Sequence, residues 1–215
     1  PEKLALVEKA PHWASERRRF SGPGTNVILA DALTLSWERF ASPWKFIGNL
    51  PYNVASPLTW DICSRAPGLS RAVFMVQKEV AQRLVARPST SAYGALSVWI
   101  QSHMRPKLEF IVPPQVFRPR PKVDSAVVSF VPLSGEDCTG HRGDFAHGEL
   151  SATLKACFQK RRKQLGGIVR AFGGRPEILE AIGLDARQRP EELTPHDFHR
   201  LSSQGIFSID KSFHK

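Results

Sequence analysis

The stretch Trp44-Lys45-Phe46-Ile47-Gly48, followed at once by Asn49-Leu50-Pro51-Tyr52, decides how the first part of this sequence folds. Its first five residues form a short apolar run, which is typical of a buried strand. A proline in the next four favours a loop. The loop after a parallel strand faces the edge where open α/β sheets bind ligands. This stretch therefore predicts a strand that ends in a ligand-facing loop.

Similar short apolar runs occur on both sides of this stretch and alternate with helical spacing. Such alternation predicts a parallel α/β sheet. Two later strands follow each other without a long crossover, which indicates an antiparallel hairpin at the sheet edge. The predicted strands are residues 4–7, 26–30, 44–48, 71–76, 108–112 and 125–131, and the predicted helices are residues 58–65 and 78–86.

The last third of the chain has a different pattern. Residues 136–148 are polar and contain glycine, as a linker does, and apolar residues at helical spacing follow from Leu150 to Phe172. Gly173 and Gly174 predict the end of that helix, and Thr194 caps the start of another. We therefore predict an α/β domain over residues 1–135, a linker over residues 136–148 and a small helical domain over residues 149–215.

The charge balance favours a polyanion as partner. Thirty Lys and Arg residues face twenty Asp and Glu residues, which gives a net charge of +10 and a pI near 10.0. Each cation placed at a phosphate releases condensed counterions, so RNA or DNA is indicated, with a basic but unspecialised surface as the alternative. The three cysteines are too few for a disulfide framework, and no apolar run reaches the ~20 residues of a membrane span. With no secretory signal pattern at the start, these features predict a cytoplasmic protein without a membrane segment.

The residue types of the loop suit methyl transfer to an adenine amine. That amine is a poor nucleophile because its lone pair is delocalised into the ring. The side-chain carbonyl of Asn49 and the backbone carbonyl before Pro51 are two acceptors that could turn the lone pair outward. Tyr52 offers an aromatic face to a base that has left its stack. A simple turn is the alternative interpretation of these four residues.

Two acids at earlier strand ends fit a nucleoside cofactor. Glu8 ends the first predicted strand, where a carboxylate can accept from both ribose hydroxyls. Asp31 follows the second strand and could accept from an adenine amine. Each acid alone is equally compatible with a helix cap or a solvated position. Together, upstream of Asn49, they favour a cofactor site.

At this point the sequence resembles the ribosomal RNA adenine N6,N6-dimethyltransferase family of the kasugamycin-sensitivity type. Four stretches carry the resemblance, and the second is too long to match by accident. They are IGNLPYN at residues 47–53, VFRPRPKVDSAV at residues 116–127, FQKRRKQL at residues 158–165 and RPEELT at residues 189–194.

The resemblance implies a Rossmann-like methyltransferase sheet with a small helical domain, and S-adenosylmethionine as methyl donor without a metal. It implies two methyl transfers to each of two adjacent adenines near the 3′ end of small-subunit rRNA, with the immature small subunit as partner of a monomeric enzyme. The implied catalytic residues are Asn49, Leu50, Pro51, Tyr52 and Phe117; the implied cofactor residues are Glu8, Asp31, Ala32 and Asn49; the implied RNA-binding residues are Arg118, Arg120, Lys122, Lys160, Arg161, Arg162 and Lys163.

The sequence also departs from the family pattern. Family members begin with a basic segment, a strand and a Gly-rich loop for the methionine part of the cofactor, and these are absent here. Residues 21–24 contain glycines but precede a strand, whereas a cofactor loop follows one. We therefore expect a truncated chain with a break in the sheet between the strands ending at Glu8 and Asn49. Weakened cofactor binding follows from this hypothesis, and tight binding in calorimetry would contradict it.

Four alternatives remain open. The macrolide-resistance type methylates a large-subunit adenine with the same loop, and DNA adenine methyltransferases are a second rival. A non-enzymatic rRNA-binding assembly factor is the third. A zinc site from Cys138, His141, His147 and Cys157 is the fourth, although this spacing fits no usual zinc pattern.

Overall fold

The computed structural model describes residues 4–133 and 144–207, with side chains described from residue 148 in the second range. The strands are β1 (Leu4–Glu8), β2 (Thr25–Leu29), β3 (Trp44–Asn49), β4 (Leu69–Gln77), β5 (Met104–Val112) and β6 (Ser125–Pro132). The helices are α1 (Pro11–Phe20), α2 (Ala55–Arg65), α3 (Lys78–Leu84), α4 (Ala95–Gln101), α5 (Asp144–Gln159), α6 (Leu165–Ala171), α7 (Glu177–Ala181) and α8 (Pro195–Ser202). All six predicted strands and both predicted helices of the α/β part are confirmed.

The main sheet is mixed, with strand order β3-β4-β6-β5. Strand β3 pairs with β4 in parallel, whereas β6 is antiparallel to both β4 and β5. The predicted antiparallel hairpin at the edge is therefore confirmed. Alternate residues of β4, namely Ala72, Phe74 and Val76, are buried, since this strand lies inside the sheet.

The first two strands form a separate parallel pair, in which Glu8 is opposite Leu29. In the described part of the chain, β1 has only β2 as a neighbour and β3 has only β4. The predicted break between the strands that end at Glu8 and Asn49 is thus confirmed. Ile47 on β3 is 86% exposed, which is unusual for a strand isoleucine and marks the surface at this break.

The apolar core continues from the sheet into the helical region. Buried residues of α2 and α4, such as Ile62 and Ile100, belong to the same cluster as Leu154 of α5 and Phe198 of α8. Helix α4 contacts both α5 and α8, and so joins the α/β part to the helical part. The division into two domains stays a prediction about chain organisation, because their residues pack into one cluster.

Two predictions about the helical region are wrong. The residues from Leu150 to Phe172 form two helices, α5 and α6, and the basic residues 160–163 lie in the turn between them. The reason is that the N–H groups of Leu165 and Gly166 donate to the carbonyls of Gln188 and Ala186, at 2.8 and 2.9 Å, and so leave the helical ladder. A side chain at Gly166 would lie 3.1 Å from Ala186 Cβ, so glycine permits this approach.

The second error concerns the linker. Residues 144–148 belong to α5 rather than to a linker, since glycine in a helix interior costs only about 1 kcal/mol and packing can offset it. The rest of the predicted linker, residues 136–143, lies outside the described residues. The predicted capping of α8 is confirmed, because Thr194 Oγ1 accepts from the Asp197 N–H at 3.2 Å. Across the described ranges, no helix is long and apolar enough to span a bilayer.

Candidate active site and nucleic-acid interface

The loop after β3 is held in one position by its own apolar residue. The Leu50 side chain is buried, and its N–H donates to the Met75 carbonyl on β4 at 3.1 Å. A Cβ atom at Gly48 would lie 2.7 Å from Leu50 Cδ2 and 3.4 Å from the Phe74 ring. Glycine at position 48 therefore gives the Leu50 side chain room to fold back onto the sheet.

This anchoring leaves two hydrogen-bond acceptors unoccupied at the sheet edge. The Asn49 side chain is exposed and has no hydrogen-bond partner within the described residues. The Leu50 carbonyl accepts no backbone hydrogen bond there either, because the next turn closes from Val54 N–H to the Pro51 carbonyl at 3.0 Å. The two acceptors that the sequence predicts for an amine are thus available and lie on adjacent residues.

Tyr52 connects this loop to residues 116–127, the second of the four stretches that carry the family resemblance. Its hydroxyl lies 2.9 Å from Oγ of Ser125, a buried residue at the start of β6. Lys78, at the start of α3, fixes the same stretch, because its ammonium group is 3.0 Å from Asp124 Oδ2 and its N–H donates to the Asp124 carbonyl. The structure therefore brings Ser125, which follows the 117–124 loop, to Tyr52 in the loop after β3, 73 residues away in sequence.

The rest of the 117–124 loop lies on the surface beside this junction. Phe117 is half-buried, while the cationic side chains of Arg118, Arg120 and Lys122 are exposed. In the described chain these three cations form no ion pair, which leaves them accessible to an anionic partner.

The two acids predicted for the cofactor lie at the carboxyl ends of β1 and β2. Glu8 accepts from the Ala10 N–H at 3.1 Å and from Arg17 Nε at 3.0 Å, and these bonds lower its pKa. Asp31 is bonded by Lys9 Nζ at 2.7 Å and by a backbone N–H at 3.0 Å, and the pKa of this carboxyl is lowered too.

Both carboxylates are therefore ionised at neutral pH and act as acceptors. A carboxylate has about four acceptor positions, so each retains capacity for a ribose hydroxyl or an amine. Asp31 also caps the short 3-10 turn Ala32–Thr34, as the alternative interpretation predicted, and Ala32 is half-buried against the core. The two carboxylate acceptors thus fit the hydroxyl and amine groups of a nucleoside cofactor.

The basic turn at residues 160–163 borders an open cleft of about 620 Å³. Lys160, Arg162 and Lys163 are exposed, and the Lys160 ammonium lies 5.4 Å from the centre of the Phe172 ring. Arg161 differs from its neighbours, because its guanidinium is paired with Glu191. The cations that the sequence predicts for RNA therefore form two exposed groups, on the 117–124 loop and on this turn.

The zinc alternative finds no support in the described residues. They contain no group of three or more His, Cys, Asp or Glu side chains arranged to hold a metal. Cys157 is fully buried, and burial raises the pKa of its thiol to about 12. Cys138, His141 and the side chain of His147 lie outside the described part.

Sequence reasoning missed the groups that support these residues. The partners Ser125, Lys78 and Glu191 have no local pattern that links them to Tyr52, Asp124 or Arg161. Only the position of Ser125 inside the second signature stretch could have pointed to a role.

The comparisons with known proteins first define a fold. The structure aligns with a dimethyladenosine transferase from Plasmodium falciparum at a TM-score of 0.76 and 23% identity, covering 96% of this chain and 84% of that one. It aligns with 23S rRNA methyltransferase ErmE at a TM-score of 0.61 and 24% identity, covering 94% and 81%. The chain thus has a Rossmann-like methyltransferase sheet with an added helical part, as predicted.

The sequence comparisons then give the family. A family model described as ribosomal RNA adenine dimethylase matches residues 2–203. A protein named ribosomal RNA small subunit methyltransferase A, from Nitratidesulfovibrio vulgaris (strain Hildenborough), is 53% identical over 209 residues, which cover 94% of this chain and 76% of that protein. The chain belongs to the ribosomal RNA adenine dimethylase family.

Proposed function

We propose that this protein transfers methyl groups from S-adenosylmethionine to N6 of two adjacent adenines near the 3′ end of 16S rRNA. It acts on the immature small ribosomal subunit during ribosome biogenesis, as a monomer in the cytoplasm. The observation that carries the proposal is the pair of unoccupied acceptors on Asn49 and Leu50, held at the carboxyl end of β3 in a chain of this family.

The loop residues act on the adenine amine. The Asn49 side-chain oxygen and the Leu50 carbonyl accept its two hydrogens, which draws the nitrogen towards a pyramidal geometry and directs the lone pair outward. Pro51 contributes through its own carbonyl, because the following turn closes on it from the Val54 N–H at 3.0 Å and so leaves the Leu50 carbonyl free. The nitrogen loses its proton after it has gained the methyl group, so a strong general base is not required.

Aromatic and cationic groups present the target base. Tyr52 stacks on an adenine that has left the RNA stack, and its hydroxyl bond to Ser125 fixes the ring orientation. Phe117 packs on the other side of the base in this proposal. The exposed cations of the 117–124 loop and of the basic turn contact the RNA backbone, since phosphate contacts position a nucleic acid without reading its sequence.

Glu8 and Asp31 bind the methyl donor. S-adenosylmethionine, when bound, supplies an electrophilic methyl group. Glu8 accepts from the ribose hydroxyls and Asp31 from the adenine amine of the donor, with Ala32 beside it. For Asp31, the bond to Lys9 Nζ is exposed and so costs little to rearrange when a ligand arrives.

The relatives favour this substrate over the alternatives. The relative at 53% identity is named for the small subunit. The likeness to the 23S rRNA methyltransferase, at 24% identity, shows the fold alone. An assembly factor without activity is not favoured, because the described chain keeps the loop acceptors that a binder does not need.

Methylation of immature small subunits tests the proposal. Subunits from a strain without this methylation are incubated with the protein and tritiated S-adenosylmethionine, and modified adenines are mapped by reverse transcription. Asn49→Ala should abolish methylation but keep subunit binding, whereas Asn26→Ala, at an exposed position on β2, is the matched control. Methylation that persists in Asn49→Ala, or modification of the large subunit instead, would contradict the proposal.

A further inference from the structure

One cation of the basic turn, Arg161, binds two other segments of the chain. The Arg161 guanidinium donates from Nε to Glu191 Oε2 at 2.5 Å, and from Nη2 to the carbonyls of Ser91 and Thr90 at 3.1 and 3.5 Å. Its exposed neighbours, Lys160 included, form no ion pair within the described residues. One planar fork thus bridges the turn, the 190–192 segment and the loop between α3 and α4.

The loop that Arg161 contacts is itself fixed against the helical part. The N–H of Ser89, a residue at φ +65°, donates to the Glu191 carbonyl at 2.7 Å. The hydroxyl of the fully buried Tyr93 donates to the Leu193 carbonyl at 2.7 Å. The two segments that Arg161 binds, the 190–192 segment and the loop between α3 and α4, are therefore fixed to each other. The basic turn takes its position from these two segments.

This loop also leads back to the active site. It follows α3, whose first residue, Lys78, pairs with Asp124 beside the Tyr52–Ser125 contact. Helix α3 has seven residues and so is only about 10 Å long at about 1.5 Å per residue. A short rigid path therefore links the catalytic loop to the contacts of Arg161.

We propose that Arg161 is a positioning residue rather than a phosphate contact. By binding Glu191 and the Ser91 carbonyl, it holds Lys160, Arg162 and Lys163 at a set distance from Asn49. An rRNA backbone bound at the turn then presents its adenine to the catalytic loop. This inference rests on the proposed function. The alternative is that Arg161 binds an RNA phosphate and that Glu191 partly neutralises its charge.

The two roles predict opposite results when Glu191 is changed. Glu191→Gln removes a negative charge next to the turn, so a phosphate-binding Arg161 would bind RNA more tightly. A positioning Arg161 keeps only a neutral hydrogen bond at position 191 instead, so the turn is held more weakly and methylation slows although RNA binding is kept. Arg161→Lys separates the roles again, since lysine keeps the charge but cannot reproduce the fork.

The experiment measures small-subunit RNA binding over a range of salt concentrations, together with kcat and KM for methylation. Loss of one phosphate contact lowers the slope of log K against log salt by about 0.7–0.9. We expect that decrease for the control Arg162→Ala. For Arg161→Ala, Arg161→Lys and Glu191→Gln we expect an unchanged slope and a lower kcat, with the largest loss, on the order of tenfold, in Arg161→Ala. The double variant Arg161→Ala with Glu191→Gln should lose no more than Arg161→Ala alone, because Glu191 acts on the turn through Arg161.

Three results would overturn the inference. They are a reduced slope in Arg161→Ala matching that of Arg162→Ala, tighter RNA binding by Glu191→Gln, and normal kcat in Arg161→Lys. Urea unfolding of each variant confirms that it is folded. The unfolding free energies of the two single variants and the double variant also give the coupling energy between Arg161 and Glu191, and this readout does not depend on methylation. If the wild-type protein bound RNA but methylated nothing, the proposed function would fail, while the slopes and the coupling would still decide the role of Arg161.

Discussion

The hydroxyl of Tyr52 forms a hydrogen bond with Ser125, which connects the loop after β3 to β6. Tyr52→Phe tests how much that hydrogen bond stabilises the site. The bond is 2.9 Å long, and its partner, Ser125 Oγ, belongs to a residue that is only 1% exposed. Leaving a buried hydroxyl without a partner costs about 1–3 kcal/mol. Because Tyr52 is half-buried and water can reach it, we expect the lower part of that range, about 1–1.5 kcal/mol.

The same change should affect activity less than removal of the ring. Tyr52→Phe keeps the aromatic face, and 1.36 kcal/mol corresponds to a factor of ten, so we expect kcat/KM to fall by about tenfold or less. Tyr52→Ala also loses stacking of the base, worth about 1–3 kcal/mol, and should lower kcat/KM by a further ten- to hundredfold. The phenylalanine and alanine variants therefore separate ring orientation from stacking.

Urea unfolding, thermal unfolding and methylation of immature small subunits are the three measurements. A fall of about 2–6 °C in Tm should accompany the loss of stability in Tyr52→Phe, since 1 kcal/mol corresponds to about 2–4 °C at this chain length. Ser125→Ala is the matched partner variant, and the double variant should be no less stable than the worse single one. The reasoning is refuted if Tyr52→Phe is as stable as the wild type, or if it is as inactive as Tyr52→Ala.

Three further predictions concern packing and pH. Gly48→Ala should displace the Leu50 side chain and lower methylation, with a stability loss of about 1–3 kcal/mol in urea unfolding; normal activity would show that the loop tolerates the shift. Gly68→Ala should cost about 3 kcal/mol or prevent folding, because its Cβ would lie 1.9 Å from a backbone oxygen, whereas the open Gly22→Ala should change the unfolding free energy by less than about 1 kcal/mol. Burial raises the pKa of Tyr93, so its contribution to stability is full below pH ~10, the unfolded value, and falls as pH rises further. Tyr93→Phe should weaken the alkaline dependence in unfolding measurements, while the part due to the buried thiols of Cys63 and Cys157 stays, and a pH profile unchanged by the substitution would contradict the assignment.

Much of the fold followed from local pattern. The strands were predictable because short apolar runs such as residues 71–76 have no other way to bury both faces. Helix α4 was not predicted, since its apolar residues include Trp99 and Ile100 in a run that has no clear polar face. Those side chains are buried between the sheet and the helical part, so the helix forms by packing rather than by an amphipathic pattern.

The catalytic loop was predictable for a different reason. Asn49 and Tyr52 lie three residues apart in one segment, and the chemistry of an adenine amine calls for the hydrogen-bond acceptor and the aromatic face that they supply. Their position at a strand end needed only the strand assignment. The contact between Tyr52 and Ser125 did not follow, because these residues are 73 positions apart and no local spacing indicates that they meet.

The sequence by itself determined the strands of the sheet, the stretches that predict the site and the basic character of the surface, because these depend on residue type and on spacing within one segment. Only the tertiary structure decided that residues 160–163 form a turn, since the N–H groups of Leu165 and Gly166 bind carbonyls 20 or more residues away instead of the helical ladder. It also decided that Arg161 differs from Arg162, although the two are identical and adjacent. Which arginine meets Glu191 depends on where the turn directs each side chain, and that is a property of the packed chain.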